Sequence, residues 1–341
     1  MSKIPQNLET RGELSLSQIG SKHKVQHGEI WTSSLGQGSP AVIFLSGAGT
    51  VGLDYYELQQ GIAKETFALI YDRLGIGLSS DCYLPRTSRQ VIDELHELLT
   101  ISQVPKPYLL VGHSLGGLYA RHYAIIYKEE VCGLVLLDPA HEDYDRFMPE
   151  ELNRLRKAPT NNAKKKVSIP QHRNSPSLLI RIANTQLGKT LLELVPLVAK
   201  YRKIYLKLFS EELSGWTEDL KNPLIQAHAS VKWLLRGSRE SLNVYDLYAE
   251  IRQAGQTPDI PITILNSMEI DGFRRVVLAG ETAELIDQEI AGKRKLYQDY
   301  LSLVTEGKLI DLNAGHVNLH FRHPQAVVSA IREMVDKWRR T

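Results

Sequence analysis

Three stretches of the chain hold residues whose types and spacing could do chemistry. In Gly112-His113-Ser114-Leu115-Gly116-Gly117 a serine sits between glycines in a Gly-x-Ser-x-Gly pattern. The pattern follows an apolar run at 108–111 and precedes a helical one, and that context makes Ser114 a candidate nucleophile on a strained strand-to-helix turn. The helix that follows would add its positive dipole end and the free backbone N–H of Leu115, both suited to holding an oxyanion. A serine hydroxyl is a weak nucleophile and needs a neighbouring base. His316, in Asn313-Ala314-Gly315-His316, is the candidate, because imidazole titrates near neutral pH. His320 alternates with apolar neighbours and reads as a packing residue, and His323 precedes Pro324 at a helix start. The i, i+4 pair His316 and His320 lacks the acidic companion that a zinc-binding helix would carry, so no metal site is expected.

The third stretch is Ser46-Gly47-Ala48-Gly49-Thr50-Val51-Gly52. Gly47, Gly49 and Gly52 after a strand could cradle a pyrophosphate at a helix start, and Asp72 lies 20 residues past Gly52, where a dinucleotide-binding fold places its ribose-binding acid. Read alone, this loop argues for a nucleotide-dependent oxidoreductase. Against that reading stand Leu53, Asp54, Tyr55 and Tyr56, bulky where close helix-to-strand packing wants small side chains. The segment Asp72-Arg73-Leu74-Gly75-Ile76-Gly77-Leu78-Ser79 looks like a structured loop in its own right.

The elements that must position these residues are legible as apolar, β-branched runs alternating with helical ones. Buried strands are expected at 41–45, 67–71, 108–111 and 131–137, with helices at 87–102 and 115–127. In the first of these helices Val91, Ile92, Leu95, Leu98 and Leu99 share one face. From about residue 140 the pattern changes to a Lys-rich stretch, 154–173 with Lys164, Lys165 and Lys166, and then to helical segments over 177–255. Strand signals resume at 260–265 and 309–312, before a closing helix with Val327, Ile331, Met334, Val335 and Trp338 at helical spacing. The expected fold is α/β: a mostly parallel central sheet flanked by helices, 1–140 with 258–341, interrupted by a helical cap at 141–257. The cap carries 19 Lys and Arg against 13 Asp and Glu. That excess is read as a solvated outer face rather than a membrane or anion surface.

The 341 residues carry 41 Lys and Arg against 39 Asp and Glu, a net charge of +2, which supplies no overall field for nucleic acid. Cys82 and Cys132 are the only cysteines, too few for a disulfide framework. With no apolar signal core in residues 1–20 and no run of about 18 apolar residues, the expectation is a soluble, cytoplasmic protein. Composition leaves the oligomeric state open.

The order of these pieces resembles the α/β-hydrolase family. Matching features are the Ser46-Gly47-Ala48-Gly49 loop after a strand, the Asp72-Arg73 segment, the Ser114 turn, a strand ending Leu137-Asp138-Pro139, a helical insertion and the late Gly315-His316. The resemblance implies that the backbone N–H groups of Ala48 and Leu115 form an oxyanion hole. Ser46 stands where the family loop usually has histidine. The resemblance also implies a triad acid, in the order Ser, acid, His. Family members carry it either after the strand that follows the cap, where Glu269 and Asp271 qualify, or at the end of the strand after the nucleophile helix, which is Asp138. Asp138 is preferred because it sits directly at an expected strand end. The expectation is a serine esterase or related acyl hydrolase acting on a small-molecule ester or acyl substrate, without a cofactor. A ligand-binding protein of the same fold is the alternative.

Overall fold

The computed structural model describes residues 19–82, 84–157, 196–277 and 282–340. Eight strands form one sheet: β1 (Ser21–Val25), β2 (Gly28–Leu35), β3 (Ala41–Leu45), β4 (Ala68–Tyr71), β5 (Tyr108–His113), β6 (Val131–Leu137), β7 (Ile262–Ser267) and β8 (Gly307–Leu312). Their order is β1-β2-β4-β3-β5-β6-β7-β8. β1 and β2 are antiparallel to their neighbours, and β3 to β8 run parallel.

The parallel strands are near-continuous apolar runs because helices cover both faces. Side chains alternate between the faces. Val42, Phe44, Val111 and Leu137 meet α1 (Tyr56–Ile62) and the closing helix, whereas Ile43, Leu45, Leu110 and Leu136 meet α2 (Ser88–Ile101) and α3 (Leu115–Ile126). α2 starts at Thr87, whose hydroxyl accepts from Gln90 N while the Gln90 side chain accepts from Thr87 N, a reciprocal cap that satisfies two otherwise unpaired donors.

Between β6 and β7 the described chain is helical: α4 (Tyr144–Phe147), α5 (Glu150–Lys157), α6 (Pro196–Glu212), α7 (Glu218–His228), α8 (Val231–Leu242) and α9 (Val244–Ala254). The expected Lys-rich stretch around Lys164, and the expected helical segments as far as residue 195, lie outside the described residues. After β7 come α10 (Gly272–Val277), α11 (Ala283–Leu301), α12 (Leu319–Arg322) and α13 (Pro324–Arg340).

The sequence reading assigned no strand before residue 41, yet β1 and β2 form a hairpin there. Most of β1 is exposed, with Ser21, Lys22 and Lys24. Charged edge strands avoid pairing with other chains, and they carry little of the apolar alternation that marks a strand in sequence. β7 also runs past its expected end into Asn266 and Ser267, both buried, where strand ends abut the candidate site.

The chain turns back from β4 to place β5 on the other side of β3. Loops leaving β3 and β5 therefore diverge to opposite faces, opening a crevice at their carboxyl ends where open α/β sheets bind ligands.

Candidate active site

Ser114 follows β5 and caps α3 with φ of 52° and ψ of −119°, a positive-φ conformation that costs a non-glycine residue about 1–3 kcal/mol. Its surroundings hold it there. Ser114 N donates to Leu137 O at 3.0 Å, and its carbonyl accepts from Gly117 N and Ala140 N at 3.0 and 2.9 Å. The flanking glycines are required by close approach: a Cβ on Gly112 would lie 2.6 Å from Gly116 O, and one on Gly116 would lie 2.0 Å from Leu45 O.

Asp138 follows β6 with φ of 43°, tied to β7 by its N–H donating to Leu265 O at 2.8 Å. His316 lies past β8. Its Nε2 is 2.9 Å from Ser114 Oγ and its Nδ1 is 2.6 Å from Asp138 Oδ2. The three side chains, 202 residues apart at the extremes, thus form one hydrogen-bonded line. Its inner end is buried at Asp138, while the His316 side chain keeps 38% of its surface open. Burial alone would push the Asp138 carboxyl up. The charge of Lys293 and the hydrogen bonds from His316 and Ser267 outweigh it and hold Asp138 well below the usual carboxylate range.

The other two carboxylates left open by the sequence do other work. Asp271 is buried, with Oδ2 accepting from Val317 N and Oδ1 from Arg274 N, both at 2.8 Å. It braces the backbone beside His316 rather than the ring. A Cβ on Gly315 would lie 2.4 Å from Asp271 Cβ, so that glycine admits the brace. Glu269 is exposed, and its N–H donates to Ala314 O at 3.0 Å.

The loop after β3 lies against the serine: a Cβ on Gly47 would sit 3.2 Å from Ser114 Cβ. Arg73 donates to Ser46 O at 2.6 Å, Ser46 Oγ at 2.9 Å and Gly47 O at 2.8 Å. Ser46, small where histidine is usual, accommodates this clamp. Glu240 of α8 pairs with Arg73 at 3.0 Å and accepts from Gly49 N at 2.7 Å. Ala48 is therefore flanked by two fixed peptide groups, and Leu115 N opens α3 directly after Ser114.

The dinucleotide reading of this loop is not supported by its geometry. Asp72 is buried and its two oxygens accept from Gly52 N and Leu78 N, each at 2.7 Å, leaving no ribose-facing acid. Gly52 instead lets the loop pass Tyr71, whose backbone oxygen would lie 2.8 Å from an added Cβ.

His320 is buried and stacked on Tyr55 with ring centroids 4.8 Å apart, and His323 contacts Asn313 O at 3.1 Å. Sequence reasoning missed His113. Its Nε2 lies 2.8 Å from His316 O, an oxygen that can only accept, so Nε2 carries the proton and Nδ1 accepts from Tyr55 Oη at 2.9 Å. Burial, and then the neighbouring His316, push His113 down to about 4, which keeps it neutral. It also missed Lys293, Tyr297 and Glu240. The first two lie one turn apart on α11, but nothing in the sequence of a helix says which strand end it faces.

The family model described as "Alpha/beta hydrolase family" matches residues 42–330. This chain belongs to the alpha/beta hydrolase family. Among curated proteins, this alpha/beta hydrolase is 36% identical to the uncharacterized protein YqjL of Bacillus subtilis over 35% of this chain and 48% of that one. It is 30% identical to the (lyso)-N-acylphosphatidylethanolamine lipase of Mus musculus over 46% of each chain. The matched stretch spans less than half the length of either relative. Among solved structures, Cfl2 from Burkholderia cenocepacia superposes with a TM-score of 0.60 at 14% identity, covering 93% of this chain and 95% of that one. This likeness establishes the fold alone. Among the described residues, no helix is long and apolar enough to cross a membrane.

Proposed function

We propose that this alpha/beta hydrolase is a serine hydrolase of carboxylic esters or related acyl compounds, working through Ser114, His316 and Asp138. The observation that carries the reading is the continuous line from Ser114 Oγ through the His316 ring to Asp138 Oδ2, at 2.9 and 2.6 Å, built from three separate loops. In this reading Ser114 Oγ attacks the acyl carbon as His316 Nε2 takes its proton. Asp138 orients the ring and stabilises the imidazolium. The carbonyl oxygen becomes an oxyanion, held by the N–H groups of Ala48 and Leu115. Collapse of the tetrahedral intermediate breaks the bond to the leaving oxygen or nitrogen, which takes the proton from His316, and leaves an acyl-Ser114 ester. Water then attacks that ester, giving its proton to His316. The second collapse returns the proton to Ser114 Oγ and releases the acid. No cofactor enters any step.

In this reading the helices described between β6 and β7 belong to a cap, 141–257, whose α8 meets the loop after β3 through Glu240. Serine rather than aspartate at the turn favours acyl chemistry over the alkyl-enzyme routes that need a carboxylate nucleophile. The test is a fluorophosphonate that carries its own leaving group, with the adduct located by mass spectrometry. Label on Ser114 of the folded protein, abolished by Ser114→Ala, is expected. An unlabelled Ser114 would favour a ligand-binding protein that does not turn over. A panel of p-nitrophenyl esters of increasing chain length then ranks acyl preference.

A further inference from the structure

The triad carboxylate has a second cation on it. Lys293 Nζ lies 2.9 Å from Asp138 Oδ1 and 3.1 Å from Oδ2, and 2.8 Å from Ser267 O. The lysine is 9% exposed. An ammonium has three protons to give, and here Asp138, Ser267 O and Ser267 Oγ take them. Ser267 Oγ in turn donates to Asp138 Oδ2 at 2.6 Å, and Tyr297 Oη reaches Oδ1 at 3.2 Å. Glu289, Lys293 and Tyr297 form one buried polar stripe along α11, four residues apart, so that successive turns face the ends of β6 and β7.

We propose that Lys293 is a positioning residue for the reaction: its ammonium holds the Asp138 carboxylate ionised and turned so that Oδ2 meets His316 Nδ1. The inference rests on the serine hydrolase reading above. Burial alone would favour the protonated acid, and the ammonium opposes it across a network screened far less than water.

The other titratable or charged groups around the network are accounted for. His113 and His320 face His316 from the side of the serine turn and α12, the former with ring centroids 5.2 Å away. Glu289 is ion-paired with Arg274 of α10 and hydrogen-bonded by Tyr144 of α4. Asp311 of β8 pairs with Arg294 at 2.7 Å. Asp271 is committed to Val317 N and Arg274 N. Among these described groups Lys293 is the cation in contact with Asp138.

The experiment measures the second-order rate of Ser114 phosphonylation by a fluorophosphonate from pH 5 to 9, an assay that needs no knowledge of the natural substrate. Lys293→Met is compared with Lys293→Gln, which keeps a donor for Ser267 O should the methionine variant fail to fold, and with Lys293→Arg. The expected result is an acid limb moved up by about one pH unit in the neutral variants and restored by arginine. A limb that stays in place in a folded neutral variant overturns the proposal, leaving Lys293 a purely structural residue. Wild-type protein unlabelled at every pH would instead refute the serine hydrolase reading, and the proposal with it.

Discussion

At the scale of single residues, the separation of two aspartates is the sharpest feature of the site. Asp138 meets the His316 ring, and Asp271 meets the backbone next to it. Their amide variants should therefore differ in kind. Asp138→Asn keeps the shape but cannot hold the tautomer that leaves Nε2 free to accept, and turnover should fall by about four orders of magnitude. Asp271→Asn weakens the brace on Val317 N and removes a buried charge. It should cost about 1–3 kcal/mol of stability and less than about a hundredfold in turnover, measured by denaturant unfolding and ester hydrolysis on the same samples. The reverse ranking would make Asp271 the triad acid.

At the scale of elements, the contact between α8 and the loop after β3 joins the inserted helices to the serine site. Arg73 holds the carbonyl of the Gly47–Ala48 peptide and Glu240 holds the N–H of the next one. The N–H of Ala48 belongs to the peptide whose oxygen Arg73 polarises, so the same cation orients and strengthens that donor. Because both members of the pair are buried, removing one strands the other. Arg73→Met should cost about 3–5 kcal/mol in unfolding free energy. Glu240→Gln, which keeps an acceptor for Gly49 N, should lower kcat about ten- to a hundredfold with little change in KM. A change in KM alone would place the pair in substrate binding instead.

At the scale of the whole molecule, buried histidines set the acid edge of stability. Burial, the largest cause in each case, pushes His113 and His122 down to about 4 and His141 to about 3. Each is neutral in the fold while its unfolded counterpart, at about 6.5, takes up a proton, so stability should fall as pH drops from about 6.5 to 4. Asp72, pushed up to about 6 mainly by burial, opposes this. Its stabilising share is full below its unfolded value near 4 and is lost as pH rises through 6. Glu57, Glu94 and Glu250, raised by burial, act in the same sense, while His320, pushed well down by burial, joins the other histidines. Thermal unfolding at stepped pH should show Tm declining across that window, with a shallower slope in His122→Gln. A flat Tm would contradict the neutral buried histidines. The sequence by itself determined the alternation of apolar runs and helices, and hence the parallel sheet. It also determined the Gly-Ser-Gly turn, because glycines at fixed spacing report close backbone approach locally, and it placed Ser114, Asp138 and His316, in that chain order, at element ends. It missed the β1–β2 hairpin, whose polar edge has no apolar rhythm to read. Only the tertiary structure decided which of three acids faces His316, that Asp72 closes a turn rather than facing a ligand, and that Lys293 and Glu240 reach the site. Those contacts span 155 and 191 residues, and which buried charges meet over such distances is set by strand order and helix packing, which no local spacing records.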